Sequence, residues 1–415
     1  MVASLRTPEL AKNDESSYGI LQVFNRYLQY GGEEQSVERI RAQLSERRSV
    51  DSCTFQSEDW IGEDAPLRIS QVVRMFYNRD AVRQLSDSIR DTQPDAILLH
   101  NLYPVGSPGI YRTALQHEVP VIQYIHNFRP FSVGGTLWAQ GKLCEKSLHG
   151  NYWEEVRRAA WQNSILKTAI FATVLKYLHA TGWLRAVKGW IAISEFMRDK
   201  FIEAGIDPSS IHVLPHAWDI VTAGNEIGSD RGYYVFLGRL VEEKGVGVLL
   251  DAWSRLVRER GEHAPELWIG GDGPLADRVR QAADRSDKIR YLGFVDGSSK
   301  REILSNCRAM IAPSTWWEPL GLVTYEAYDY KKPMFAAASG GLEETVDHGR
   351  TGYLHEAGNA QQLATQILEF ELLPASRKSE MGREGRRWLE IHADPNHWQD
   401  RFSQILDSAL RVNHC

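Results

Sequence analysis

Short apolar runs of strand length alternate with helix-patterned stretches along nearly the whole chain, and that alternation narrows the folds open to it. The strand candidates in the first half are Gly19–Phe24, Asp95–His100, Val119–Ile125 and Trp190–Ile193. Those in the second half are Tyr233–Leu237, Glu266–Ile269, Ile289–Leu292, Ala309–Ala312 and Pro333–Ala337. They are short and apolar on both faces, which suits strands buried between two helix layers. Helical patterns such as Glu33–Arg48 and Val246–Glu259 lie between them. The reading is an α/β fold of parallel, doubly wound sheets. A chain of 415 residues is too long for one ordinary core, so two domains follow. Pro208–Gly228 reads as the linker, dividing Rossmann-like halves at 18–212 and 213–393. Residues 1–17 read as a polar extension. In 394–415, Trp398, Phe402, Ile405 and Leu410 fit one helical face, which is expected to pack back on the first domain.

Composition removes several function classes. A net charge of −6 argues against a nucleic-acid partner. Cys53, Cys144, Cys307 and Cys415 are scattered, with no zinc spacing, which fits free thiols in a reducing compartment. The N-terminus lacks the apolar centre of a signal peptide. Ile165–Val187 comes closest to a membrane span but is broken by Lys167, Lys176, His179 and Arg185. Lys167 and Lys176 lie half a turn out of phase at roughly 100° per residue, so no basic stripe forms. The expected location is cytoplasmic, with room for a weak peripheral contact at the inner face of the membrane.

In open parallel sheets ligands bind beyond the carboxyl ends of the strands. Several polar clusters stand at those places. Gly238-Arg239 follows one strand, with Lys244-Gly245 close behind. A planar guanidinium and a point-charge ammonium suit a phosphate, although two solvated surface cations are the plainer reading. Gly270-Gly271-Asp272-Gly273 is a tight turn whose glycines admit a ligand or another backbone. Gly31-Gly32 and Gly340-Gly341 are glycine pairs at strand exits, suited to presenting N–H groups to a diphosphate or to plain turn chemistry. His126 ends one strand and His100 another; a lone histidine is more often structural than catalytic. In Pro313–Glu326, Glu318 and Glu326 lie eight positions apart. Pro319 favours a helix start, with a helix-compatible run from Leu320 to Tyr328. A capping glutamate followed by a solvated one is the plainer account of that pair.

Taken in order, these pieces resemble glycosyltransferase family 4, retaining enzymes of GT-B fold with two facing Rossmann-like domains. The matching segments are YGGEE at 30–34, HNFR at 126–129, LGRLVEEKG at 237–245, GGDGP at 270–274, YLGFV at 291–295, PSTWWEPLGLVTYEA at 313–327 and SGGLEE at 339–344. The resemblance implies a nucleotide-diphosphate-sugar donor held mainly by the second domain. Arg239 and Lys244 would neutralise the diphosphate in place of a divalent metal, so no metal or other cofactor is expected. Glu326 would bind the ribose, Glu318 the donor sugar, and the Gly321-Leu322 backbone the sugar or phosphate. Val295 would border the base, Gly271 would approach the donor, Gly31 and Gly32 would close on the diphosphate, and His126 would lie near the transferring sugar. The acceptor would be a glycan, a lipid-linked species or a small molecule, with the insert 131–187 shaping its side.

Two departures stand out. PHAWD replaces a segment that more often carries Asn and Gly after the proline, and GGLEE lacks a proline common before its second glutamate. Two other readings remain. One is a sugar-nucleotide epimerase of the same fold, which should lack the paired cations and the spaced glutamates. The other is a catalytically inactive binding protein.

Overall fold

A computed structural model describes residues 18–28, 31–221 and 228–411. The polar extension at 1–17, Tyr30, the linker residues 222–227 and the tail 412–415 with Cys415 lie outside the described residues.

The first half builds β1 (Ile20–Arg26), β2 (Val50–Gln56), β3 (Ala96–Leu99), β4 (Val121–Ile125), a small antiparallel pair β5 (Trp138–Ala139) and β6 (Lys142–Leu143), then β7 (Val187–Ala192) and β8 (Ile211–Val213). The second half builds β9 (Tyr233–Leu237), β10 (Glu266–Gly270), β11 (Ile289–Gly293), β12 (Ala309–Ala312), β13 (Met334–Ala338) and β14 (Gly352–Glu356). Two six-stranded sheets result, ordered β2-β1-β3-β4-β7-β8 and β11-β10-β9-β12-β13-β14. Every pairing within them is parallel. The strand order reverses between β1 and β3 in one sheet and between β9 and β12 in the other. Those switch points open crevices at the carboxyl ends of the strands.

The central strands are buried along their whole length, as in AILL of β3 and AMIA of β12. Helices cover both faces, as parallel sheets require. The C-terminal helix Pro395–Arg411 lies against β7 of the first sheet. Gly189 of that strand faces the helix, its Cβ position 3.6 Å from the Ala409 methyl, an ordinary packing distance. Cys53, Cys144 and Cys307 are buried free thiols.

The two lobes touch directly. Ser194, after β7, donates to the Pro319 carbonyl at 2.6 Å. The Glu344 carboxylate accepts from the backbone N–H groups of Glu195 (2.9 Å) and Phe196 (2.6 Å), at the N-terminus of the helix Glu195–Glu203. A carboxylate there meets unpaired donors and the positive end of the helix dipole. Trp317 packs its ring against Phe196 at 5.3 Å and Phe128 at 6.5 Å, with the Lys200 ammonium 4.4 Å from its centre.

Among the described residues no helix is long and apolar enough to cross a membrane. Leu67, Ile69 and Val73, on and beside the helix Arg68–Phe76, are exposed, as are Ile165 and Leu166 of the neighbouring helix Ile165–Ala180.

Candidate functional site

The second sheet's switch point assembles one charged cluster. Gly238 and Arg239 leave β9, and a short turn (Glu242–Lys244) delivers Lys244. Gly245 then takes φ +73°, and a Cβ on it would fall 1.8 Å from the Pro313 carbonyl oxygen. Only glycine allows that approach. With Thr315 N–H donating to the Glu243 carbonyl at 2.9 Å, it clamps the β9 loop to the β12 exit. Lys244 Nζ therefore reaches Glu318 Oε1 at 2.6 Å, and the Ser314 hydroxyl donates to the same oxygen at 2.6 Å. The ammonium also lies 5.1 Å from the Trp316 ring centre. Burial alone would raise the Glu318 pKa; the adjacent Lys244 charge and the hydrogen bonds from Lys244 and Ser314 bring it below the usual carboxylate value.

Arg239 stands on the same loop with its side chain 64% exposed, 3.7 Å from Glu243. A pair so open contributes little to stability, and its guanidinium is free to turn toward an incoming anion. Glu326 pairs with Lys300 at 2.7 Å. Lys300 had no local signal in the sequence.

Several expectations change here. Glu318 does not adjoin a helix start. It forms a parallel bridge with Gly340, and the helix begins only at Leu322, capped by Gly321 at φ +88°. Glu326 thus lies about one turn into that helix. The pair Gly340-Gly341 is occupied with backbone: Gly341 N–H donates to the Glu318 carbonyl at 2.7 Å, and a Cβ on Gly340 would lie 2.3 Å from that oxygen. Gly271 has a similar job. Its N–H donates to Gly293 at 2.7 Å, and a Cβ would meet the Gly238 carbonyl at 1.8 Å, so it offers no N–H to a ligand. Val295 packs against Gly270, and beside it Phe294 is exposed. Leu322 is half-buried at the helix start. Gly31 caps the helix Gly32–Ser45, and a Cβ on Gly32 would meet nothing within 4 Å, leaving open space beside that turn.

The first lobe contributes a second, mostly buried group. Glu33, His100, Tyr103, His126, Asn127 and Arg129 line a cavity of about 20 Å³. That is room for about one water. The Tyr27 hydroxyl (3.3 Å) and Asn127 (2.9 Å) both donate to Glu33 Oε2. Glu33 Oε1, Tyr103 OH and Arg129 Nε are buried without a hydrogen-bond partner. Burial pushes the Glu33 carboxyl up to about 7, against the opposing pull of Arg129, Tyr27 and Asn127. Burial also lowers His126 to about 3, so its ring is neutral in the physiological range. Neither Glu33 nor Arg129 carried a sequence signal beyond standing in a matched segment.

Glu33 yields a pH prediction. An acid whose folded pKa is raised stabilises the fold below its unfolded value, and that contribution is lost as pH rises through the folded value. Stability should therefore decline between about pH 4.5 and pH 7 by on the order of 2 kcal/mol. Glu33→Gln should flatten that decline. Urea unfolding at several pH values checks it, and identical slopes in variant and parent would show an ordinary, ionised Glu33.

The structure thus joins Lys244 to Glu318, leaves Arg239 beside them, pairs Glu326 with Lys300, and sets His126 among first-lobe groups. Phe128, two residues after His126, touches Trp317, the residue before Glu318, so the two groups lie on either side of one interlobe contact.

Two family models match the chain, one in each half. Residues 30–221 match the family described as Glycosyltransferase Family 4, and residues 231–371 match Glycosyl transferases group 1. Spore coat protein SA of Bacillus subtilis is 28% identical over 233 residues, covering 52% of this chain and 59% of its own length. A GDP-mannose-dependent alpha-(1-6)-phosphatidylinositol monomannoside mannosyltransferase of Mycobacterium tuberculosis is 28% identical over 200 residues, 46% of this chain and 51% of that protein. The chain thus spans little more than half the length of these curated relatives. Anabaena HepE in complex with UDP superposes with a TM-score of 0.66 at 17% identity, over 94% of this chain and 100% of that one. Sucrose-phosphate synthase of Thermosynechococcus elongatus gives 0.67 at 14% identity, over 95% and 100%. At such identities the likeness is one of fold.

Proposed function

The chain belongs to glycosyltransferase family 4 and has the two-lobed GT-B fold, and on that footing we propose that it moves a sugar from a nucleotide-diphosphate-sugar donor to an acceptor hydroxyl, with retention and without a metal. The observation that carries this reading is the Lys244–Glu318 contact at the second sheet's switch point, with Arg239 exposed beside it. Cleaving the anomeric C–O bond puts negative charge on the departing diphosphate and positive charge on the sugar. Cations already fixed at the diphosphate lower the energy of that separation most in the transition state. Lys244 and Arg239 are the groups assigned that role, with the first N–H groups of the helix Leu322–Asp329 supporting them.

The acceptor hydroxyl attacks the same face that the diphosphate leaves, and a leaving phosphate oxygen takes its proton. Glu318 orients the sugar, Glu326 binds the ribose hydroxyls, and His126 closes the sugar's other side. Gly31 and Gly32 border the diphosphate from the first lobe. A uridine donor draws support from the solved neighbour that holds UDP. A lipid-linked acceptor stays within range because Leu67, Ile69, Ile165 and Leu166 present apolar side chains on the first lobe.

The test is a thermal-shift series with UDP, GDP and ADP, followed by hydrolysis of the matching sugar nucleotides. A nucleotide at 100 times its dissociation constant should stabilise the protein by about 2.7 kcal/mol. No shift with any of them would defeat the proposal.

A further inference from the structure

Three rings form a triangular cluster in the first lobe. His126, Tyr124 and His216 have ring centres 5.0, 5.5 and 5.7 Å apart and planes within 19° of one another. His100 leans over the His126 ring at 5.0 Å. This packing fixes the plane of the His126 imidazole but not which nitrogen carries its proton.

A hydrogen-bond chain does that. Gln22, on β1, places its side-chain nitrogen 3.1 Å from the Val37 carbonyl and 2.9 Å from His100 Nε2. A carbonyl only accepts, so the group facing Val37 must be the amide NH₂, and its second hydrogen points at His100. His100 Nε2 is then an acceptor, and the proton of that neutral ring sits on Nδ1. His100 Nδ1 lies 2.8 Å from His126 Nε2, so it donates there. His126 Nε2 must accept, since a second N–H would face the first. Its own proton is therefore on Nδ1. No hydrogen-bond partner for that nitrogen exists among the described residues, and the ring lines the cavity beside Glu33 and Asn127.

We infer that Gln22 is a positioning residue, which through His100 holds His126 as the Nδ1–H tautomer so that the ring offers a ligand a hydrogen-bond donor and not a base. The functional half of this inference rests on the proposal that His126 borders the transferring sugar. In that setting the ring donates to a sugar or phosphate oxygen, and the acceptor's proton must leave by another path. The Val37 carbonyl, a main-chain group on the helix Gly32–Ser45, is the fixed end that gives the chain its direction.

The test reads the tautomer directly. In the full chain labelled with ¹⁵N-histidine, with His126 assigned by comparison with His126→Gln, Nδ1 should show the chemical shift of a protonated nitrogen and Nε2 that of a lone pair. The opposite pattern overturns the inference. Gln22→Met keeps the volume and removes the donor. The His126 signals should then move toward the average of two tautomers, and turnover should fall at least about twofold as half the molecules present a lone pair. Circular dichroism confirms the fold in each variant. An unchanged His126 pattern in Gln22→Met also overturns the inference. Averaged signals with unchanged turnover leave the relay standing and remove His126 from the proposed chemistry, so the two claims fail separately.

Discussion

Lys244→Ala should lower turnover of a nucleotide-sugar donor by about 10²–10³-fold, the range expected when one pre-positioned group is withdrawn from developing charge. It should also unsettle the fold. Glu318 is buried at 7% exposure, and its ionised form is supported first by Lys244. Without that ammonium the carboxylate must lose its charge or remain buried without a counter-charge, at about 1–3 kcal/mol. Activity loss in Lys244→Ala could then be blamed on instability. The double variant Lys244→Met/Glu318→Gln separates the two effects. It removes both charges, should recover most of the stability seen in urea titrations, and should stay inactive. Wild-type donor kinetics in Lys244→Ala would end the assignment, and so would an active double variant.

Gly245→Ala should be the more damaging single methyl group. The residue sits at φ +73°, which costs an L-residue about 1–2 kcal/mol. The added Cβ would also fall 1.8 Å from the Pro313 oxygen, a main-chain atom that cannot turn aside. Either the β9 loop or the β12 exit must move, with a total loss of about 3–4 kcal/mol. Because the same contact brings Lys244 to Glu318, donor affinity should fall along with the melting temperature. Gly150→Ala is the control: it shares the left-handed conformation of Gly245, with φ +75° and ψ +9°, yet a Cβ there meets nothing within 4 Å. Equal stability losses in the two variants would mean that the Pro313 contact contributes nothing.

What could be read from the sequence follows from where each piece lies in its sheet. The runs AMIA, YYVFL and VPVIQYI became strands because their side chains face helices on both sides, and such a run has few other uses. The edges were less legible. Val50–Gln56 reads VDSCTFQ and buries only Cys53 and Phe55, while β8 and β14 carry similarly mixed residues. An edge strand with one face in water looks like a loop that happens to contain a valine. Within the site, Arg239, Lys244 and Glu318 stood out because they occupy strand exits. Lys300 could not be found, because its only mark is contact with a carboxylate 26 residues away. Glu33 hid inside a helix-forming acidic pair; its distinction is a buried oxygen without a partner, which no spacing expresses. The glycines were ambiguous. Gly271 and the pair at 340–341 suited either a ligand or another backbone, and the contacts they make are backbone crossings.

One helix, Glu195–Glu203, takes both Trp317 and Glu344 from the opposite lobe. Trp317 immediately precedes Glu318, and Glu344 follows the glycine bridge that props the Glu318 backbone. That helix therefore serves as a common abutment for two neighbouring loops of the other half. The mouth of the crevice cannot widen along one loop alone; both supports must slide together. Specificity on the two sides of the gap is mechanically tied, so reshaping the wall met by one substrate will also be felt by the other.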